Sequence, residues 1–283
     1  MTLQTLVMDD ITRAAAFTGL YLVIFLVAKW AKDCFTSYKI NAELTQKDNL
    51  AVALAMSGYY LGTLAIFVGA LLAPTQGLKT DLALVGGYAL LGILFLNAAR
   101  WLNDKLILRR FCDTKQLIAE KNAGVGIVHF GAYLATGLIA AGAVSGQGGG
   151  VLSAVVFFAL GQLALILFSR IYERFSGYDV HEQLLQKNVA SGVAFSGHLI
   201  ALAIIIMNAA AGDFSDWRQD LVLFAVATAL AFVFLPVIRV VMDRLVVPGD
   251  SLGREIREDR NIGAGALEAT VAVSFAVVLS RLI

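Results

Sequence analysis

Eight long apolar runs alternate with polar segments, near residues 14–31, 50–73, 82–99, 123–144, 151–169, 189–211, 221–242 and 262–283. None shows the period-two alternation of a half-buried strand, and all are rich in Leu, Ala, Val and Gly. Most approach the ~20 residues that carry a helix across ~30 Å of hydrocarbon at 1.5 Å per residue. The shorter runs are extended by bases such as Lys29, whose stem can lie in the apolar zone while its ammonium reaches the headgroups. A backbone inside lipid must satisfy its own hydrogen bonds, so the pattern predicts an all-α polytopic bundle of eight transmembrane helices.

The runs are not independent. A charged cluster ending in Asn precedes every second one, at Lys47-Asp48-Asn49, Glu120-Lys121-Asn122, Gln186-Lys187-Asn188 and Asp259-Arg260-Asn261. The unit is a helical hairpin used four times. Asn49 and Asn188 are 139 residues apart, and so are Asn122 and Asn261. The chain thus reads as a four-helix unit duplicated in tandem, with residues 1–147 forming the first unit and 148–283 the second.

Composition agrees with the membrane reading: 59% hydrophobic residues, 15% charged and a mean hydropathy of +0.77. The net charge of +1 argues against a nucleic-acid partner and leaves the lipid bilayer as the expected surroundings. Of the 22 Lys and Arg residues, only Arg13, Lys79, Arg218 and Arg281 lie outside the hairpin loops and their flanking helix ends. The positive-inside rule then predicts cytoplasmic hairpin loops, both termini outside, and four hairpins in one parallel orientation. Asp9 and Asp10 ahead of the first run argue against a cleaved signal, and Cys34 and Cys112 are expected as free thiols.

The motifs Lys47-Asp48-Asn49 with Ser57-Gly58, and Lys187-Asn188 with Ser196-Gly197, resemble the bacterial membrane family grouped as domain of unknown function 350. Glu120-Lys121-Asn122 with Gly131, and Asp259-Arg260-Asn261, match less completely; the last copy carries Ala269-Thr270 where the others have Gly at the second place. The resemblance covers nearly the whole chain. It implies a multi-copy two-helix fold and a membrane location, but no reaction.

Asn49, Asn122, Asn188 and Asn261 stand where a helix re-enters the membrane, and Asn is among the best N-cap residues. They read as structural helix caps. Small residues follow at Ala53, Gly126, Gly192 and Gly265 and at Gly58, Gly131 and Gly197, a spacing that permits close helix approach in lipid. This predicts an inner, tightly packed ring of even-numbered spans surrounded by odd-numbered ones. Lys29, Arg100, Arg170 and Arg239 read as interface anchors, with Asp33, Asp104 and Asp243 one turn on as surface ion-pair partners.

Functional candidates are the positions where copies disagree. Counting by helical face from each Asn, the second copy shows His129, Tyr133 and Thr136, the first Tyr60, and the fourth Glu268. His129 corresponds to Glu268 under the 139-residue offset, and Tyr59 to His198. Glu268 lies about 10 Å into its helix, where an ionisable group costs ~2.5 kcal/mol or more. Glu268, His129, Tyr133, Thr136, Tyr60 and His198 are therefore candidates for an ion or proton path between the even spans, with His129 and Glu268 placed to meet across a pseudo-two-fold axis. The alternative for each polar residue is a hydrogen bond that fixes helix register.

With three His residues and no HExxH or CxxC, no metal site, cofactor or catalytic residue is expected, and the chain reads as a non-enzyme. The glycine run 146–150 reads as a flexible connection. Two functions follow: a small cation or proton transport or conduction protein, or a membrane scaffold. In the second, segments Asn41–Asp48, Asp113–Lys121, Val180–Lys187 and Leu252–Arg260 would recruit cytoplasmic partners in envelope maintenance or stress. The small-residue faces leave assembly into a homo-oligomer open.

Overall fold

Four long helices begin at the marker asparagines: α3 (Leu50–Leu71), α5 (Ala123–Val144), α8 (Val189–Ala210) and α11 (Ile262–Leu282). They alternate with α1 (Leu3–Cys34), α4 (Leu78–Leu106), α6 (Gly150–Ser176) and α9 (Trp217–Leu245). All eight are long and apolar enough to cross a membrane. Each hairpin loop holds one short element: α2 (Ile40–Thr45), a π-helical turn at Lys115–Ala119, α7 (Val180–Leu185) and α10 (Leu252–Arg257). The computed structural model describes residues 3–108, 110–245 and 250–282.

The hairpin turn is built the same way four times. The residue before each Asn is left-handed, with φ of 47° at Asp48, 46° at Lys121, 58° at Lys187 and 51° at Arg260. A non-glycine residue there costs roughly 1–2 kcal/mol. The conformation is held because the next N–H returns to close the short helix: Asn49 to Glu43 O, Asn122 to Gln116 O, Asn188 to Gln183 O and Asn261 to Glu255 O. The Asn Oδ1 then accepts from the first turn of the following helix, at Val52, Val125, Ser191 and Ala264. Its Nδ2 donates to a side chain in the preceding short helix, namely Glu43, Gln116, Gln183 or Glu255.

The same amide joins neighbouring copies. Asn49 Nδ2 donates to Leu117 O (2.9 Å), Asn122 Nδ2 to Leu184 O (2.6 Å) and Asn188 Nδ2 to Ile256 O (2.8 Å). A base returns the contact, Lys187 Nζ reaching Glu120 O at 3.0 Å and Arg260 reaching Gln186 Oε1 at 3.2 Å. A ladder of buried hydrogen bonds thus links the four turns at one end of the bundle.

The predicted ring of even spans is instead an open row. α3 packs on α5, α5 on α8 and α8 on α11, without a comparable contact that closes α11 onto α3. Burial follows position: 78% of the apolar window is buried in α5 and in α8, but 22% in α11 at the free end. Glycine sets the spacing. A Cβ on Gly58 would lie 2.4 Å from Phe130 Cα, one on Gly131 2.8 Å from Ser196 Cα, and one on Gly197 2.5 Å from Ala269 Cα. The residue at the same place in α11 is Thr270, which is exposed. Its hydroxyl donates to Ala266 O of its own helix at 2.8 Å.

The other four helices form a second layer. α4 lies against α3 and α5, α6 against α5 and α8, and α9 against α8 and α11, while α1 packs on α3 and α4. They carry exposed Leu22, Leu26, Leu94, Leu163, Val226 and Val233, apolar side chains suited to lipid contact. At the end opposite the turns, a cavity of about 490 Å³ is bounded by Arg13, Asp81, Gln147, Asp213 and Asp220 among others. The glycine run beside it is fixed rather than free: Gln147 N donates to Asp213 Oδ1, and Phe214 N to Gln147 O, both at 2.8 Å.

Candidate functional site

Between the two layers lie two buried polar clusters, one in each half, built from corresponding helices. In the second half, α9 supplies Arg239, α11 Glu268, α6 Tyr172 and α8 His198. Arg239 Nε donates to Glu268 Oε1 at 2.9 Å, and its two terminal nitrogens donate to Phe175 O (2.8 Å) and Ser176 O (3.0 Å). Tyr172 OH donates to the same Glu268 oxygen at 3.1 Å, and His198 Nδ1 lies 3.6 Å from it. Tyr178, just beyond α6, is 3.3 Å from the Tyr172 hydroxyl. Burial, with the Glu268 carboxylate nearby, pushes the Tyr178 phenol up to about 12, so it keeps its proton. Every charge in this cluster has a partner of opposite sign.

The first half answers with Lys32 on α1, Tyr59 on α3, Arg100 and Asp104 on α4, and His129 and Tyr133 on α5. Lys32 is 2% exposed and donates to the Tyr133 hydroxyl. Its ammonium also lies 4.2 Å from the Tyr133 ring centroid and 4.9 Å from that of Tyr59, a cation–π pairing. Among the described residues no carboxylate comes within ion-pair distance of it. Tyr59 OH donates to Ala28 O (3.0 Å) and accepts from Asn97 Nδ2 (3.1 Å). Arg100 pairs with Asp104 at 3.3 Å, and the other Asp104 oxygen is 3.9 Å from His129 Nδ1.

Asp113, in the turn after α4, completes this cluster. Asp104, Asp113 and His129 each offer a ligand atom within 4.8 Å of the others, an arrangement that can hold a proton, a water or a cation. Burial and the Asp104 carboxylate push Asp113 up to about 9. Four buried polar atoms here have no hydrogen-bond partner among the described residues: Asn103 Oδ1, Asp104 Oδ1, Asp113 Oδ1 and His129 Nε2. The second cluster has one such atom, Glu268 Oε2.

The candidate residues therefore divide. His129 and Tyr133 lie together, with ring centroids 6.1 Å apart, and Thr136 follows one turn on, accepting from Asn103 Nδ2 at 3.4 Å. Glu268 and His198 lie together in the other half. Tyr60 stands at the edge of the first cluster, its ring 5.9 Å from that of Tyr59, and packs on Phe25 with centroids 4.6 Å apart. His129 and Glu268 do occupy corresponding places, but α8 stands between α5 and α11, so they face different clusters instead of each other. The even spans approach one another closely at Gly58, Gly131 and Gly197. The polar groups lie where the row meets the second layer.

Sequence reasoning missed Lys32, Tyr172 and the inward role of Arg239. A signal was present: Lys32 and Tyr172 each lie six residues before a tyrosine, Tyr38 and Tyr178, and so correspond. Arg239 was read as an anchor paired with Asp243. It is 8% exposed and turns to Glu268, while Asp243 caps Leu252 N at 2.6 Å. Cys34 and Cys112 are free and exposed.

The profile described as Domain of Unknown Function (DUF350) matches the chain twice, over residues 5–144 and 148–283. A UPF0719 transmembrane protein from Aquifex aeolicus (strain VF5) is 24% identical over 273 residues, an alignment covering 93% of this chain and 97% of that protein. No solved structure matches.

Proposed function

The chain belongs to the DUF350 family of membrane proteins, and from that premise we propose that it binds and passes a proton or small cation at the first-half cluster. The observation that carries this reading is the group of unpartnered buried atoms that Asp104, Asp113 and His129 bring within 4.8 Å of one another. Buried polar atoms are nearly always satisfied, and two carboxyl groups beside an imidazole form a set that can take up a proton or coordinate a small cation. The proton held on Asp113 at neutral pH, the imidazole of His129 and the Lys32–Tyr133 pair offer successive exchange groups. The second-half cluster, closed by Arg239 and Glu268, serves as its structural counterpart.

In this reading the basic hairpin turns lie in the cytoplasm of a bacterial inner membrane, and the 490 Å³ cavity opens on the other side. The chain acts without covalent chemistry. The short amphipathic elements are engaged in the inter-copy ladder, so no specific observation favours the scaffold alternative.

The test is flux in proteoliposomes enclosing a pH-sensitive dye, driven by a valinomycin-set potential in buffers with one alkali cation at a time. Wild type conducts, while His129→Gln and Asp104→Asn fall at least tenfold and remain folded. Silence of the wild type under every gradient sinks the proposal, as does full flux in both variants.

A further inference from the structure

A cleft opens within the second layer. Where α4 of the first half meets α6 of the second, a cleft of about 340 Å³ is lined by Phe95 and Leu102 on one side and Val155, Phe158, Gln162 and Ile166 on the other. Its walls are apolar except for Gln162. That residue is 2% exposed, and neither its Oε1 nor its Nε2 has a hydrogen-bond partner among the described residues. Gln162 stands twelve residues past the start of α6, about 18 Å along the axis and so near the bilayer midplane. Phe95 and Phe158 stack at the cleft with centroids 4.0 Å apart and planes within 6°.

A buried amide with both ends unpaired costs about 1–3 kcal/mol or more, a large penalty at a position where Leu would pack. We propose that this cleft is a binding site for a lipid-soluble quinone, whose ring oxygen pairs with Gln162 and whose chain leaves towards the lipid.

Two features select that class. The depth rules out a phospholipid headgroup, which stays at the interface, and an acyl chain alone leaves the amide unpaired. An amide presents a donor to a quinone carbonyl and an acceptor to a quinol hydroxyl, so either redox form can be held. No electron transfer is required, and the site is independent of the cation reading above.

The protein in phosphatidylcholine nanodiscs is titrated with decylubiquinone, with thermal stabilisation and quenching of Trp101 fluorescence as readouts. Trp101 adjoins the lining residue Leu102. Wild type shows saturable binding, and Gln162→Met weakens it at least tenfold. Ala159→Phe, which fills the cleft from its α6 wall, also abolishes binding and keeps the test decisive if Gln162→Met does not fold. Binding unchanged in both variants overturns the proposal. So does displacement by an equal concentration of decane, which marks a chain slot only, or a wild type that shows no saturation.

Discussion

Opening the Arg239–Glu268 pair tests whether the second-half cluster is structural. Glu268 is 2% exposed and Arg239 8%, so removing either partner strands a charge away from water. Breaking a buried pair from one side costs about 3–5 kcal/mol, whereas replacing both partners by apolar residues of similar volume is often neutral or stabilising. The geometry ranks the two single variants. After Glu268→Met, Arg239 retains the carbonyls of Phe175 and Ser176, placing the loss near ~3 kcal/mol. After Arg239→Met, Glu268 Oε1 retains the Tyr172 hydroxyl and, at 3.6 Å, His198 Nδ1, but no guanidinium, placing the loss near ~5 kcal/mol. The double Met variant lies within about 1 kcal/mol of wild type, a strongly non-additive cycle. Unfolding in mixed dodecylmaltoside and dodecyl sulfate micelles, followed by far-UV circular dichroism, measures all four proteins. Single losses below about 1 kcal/mol, or a double variant equal to the sum of the singles, would refute the reasoning.

Two further outcomes are expected. Gly58→Ala forces its Cβ to within 2.4 Å of the Phe130 backbone and costs roughly 1–3 kcal/mol in the same unfolding assay, while Thr270→Gly at the free end changes stability by under about 1 kcal/mol. Asp113 has a folded pKa raised from 3.8 to about 9, so between those values the folded state holds a proton that the unfolded chain has lost. Stability therefore falls as pH rises from about 4 towards 9, and Asp113→Asn flattens that slope; an unchanged slope shows that the proton is held elsewhere.

Much of the fold could be read from local patterns. The four Asn markers each begin a membrane-length helix with the side chain accepting from its first turn, and the left-handed residue recurs just before each. The departure at Ala269-Thr270 fits its position, since Thr270 is exposed on α11 whereas Gly58, Gly131 and Gly197 each meet a neighbouring helix. The candidate site was less legible. His129 and Tyr133 stood out as polar residues on an apolar face, but Lys32 and Arg239 looked like ordinary bases at helix ends, where long cations commonly reach the headgroups. Whether such a side chain turns inwards depends on what lies beside it.

Sequence alone determined the elements and their repetition, because apolar run length, cap chemistry and the 139-residue offset are properties of neighbouring positions along one chain. It also determined which positions break the repeat. Only the tertiary structure decided that the even spans form a row instead of a ring, and that His129 and Glu268 serve separate clusters. That choice rests on lateral packing. Glycines at Gly58, Gly131 and Gly197 bring successive helices into backbone contact, α11 offers Thr270 in their place, and α8 keeps α5 and α11 apart. Such contacts join residues some seventy positions apart, and no periodicity within a single helix encodes them.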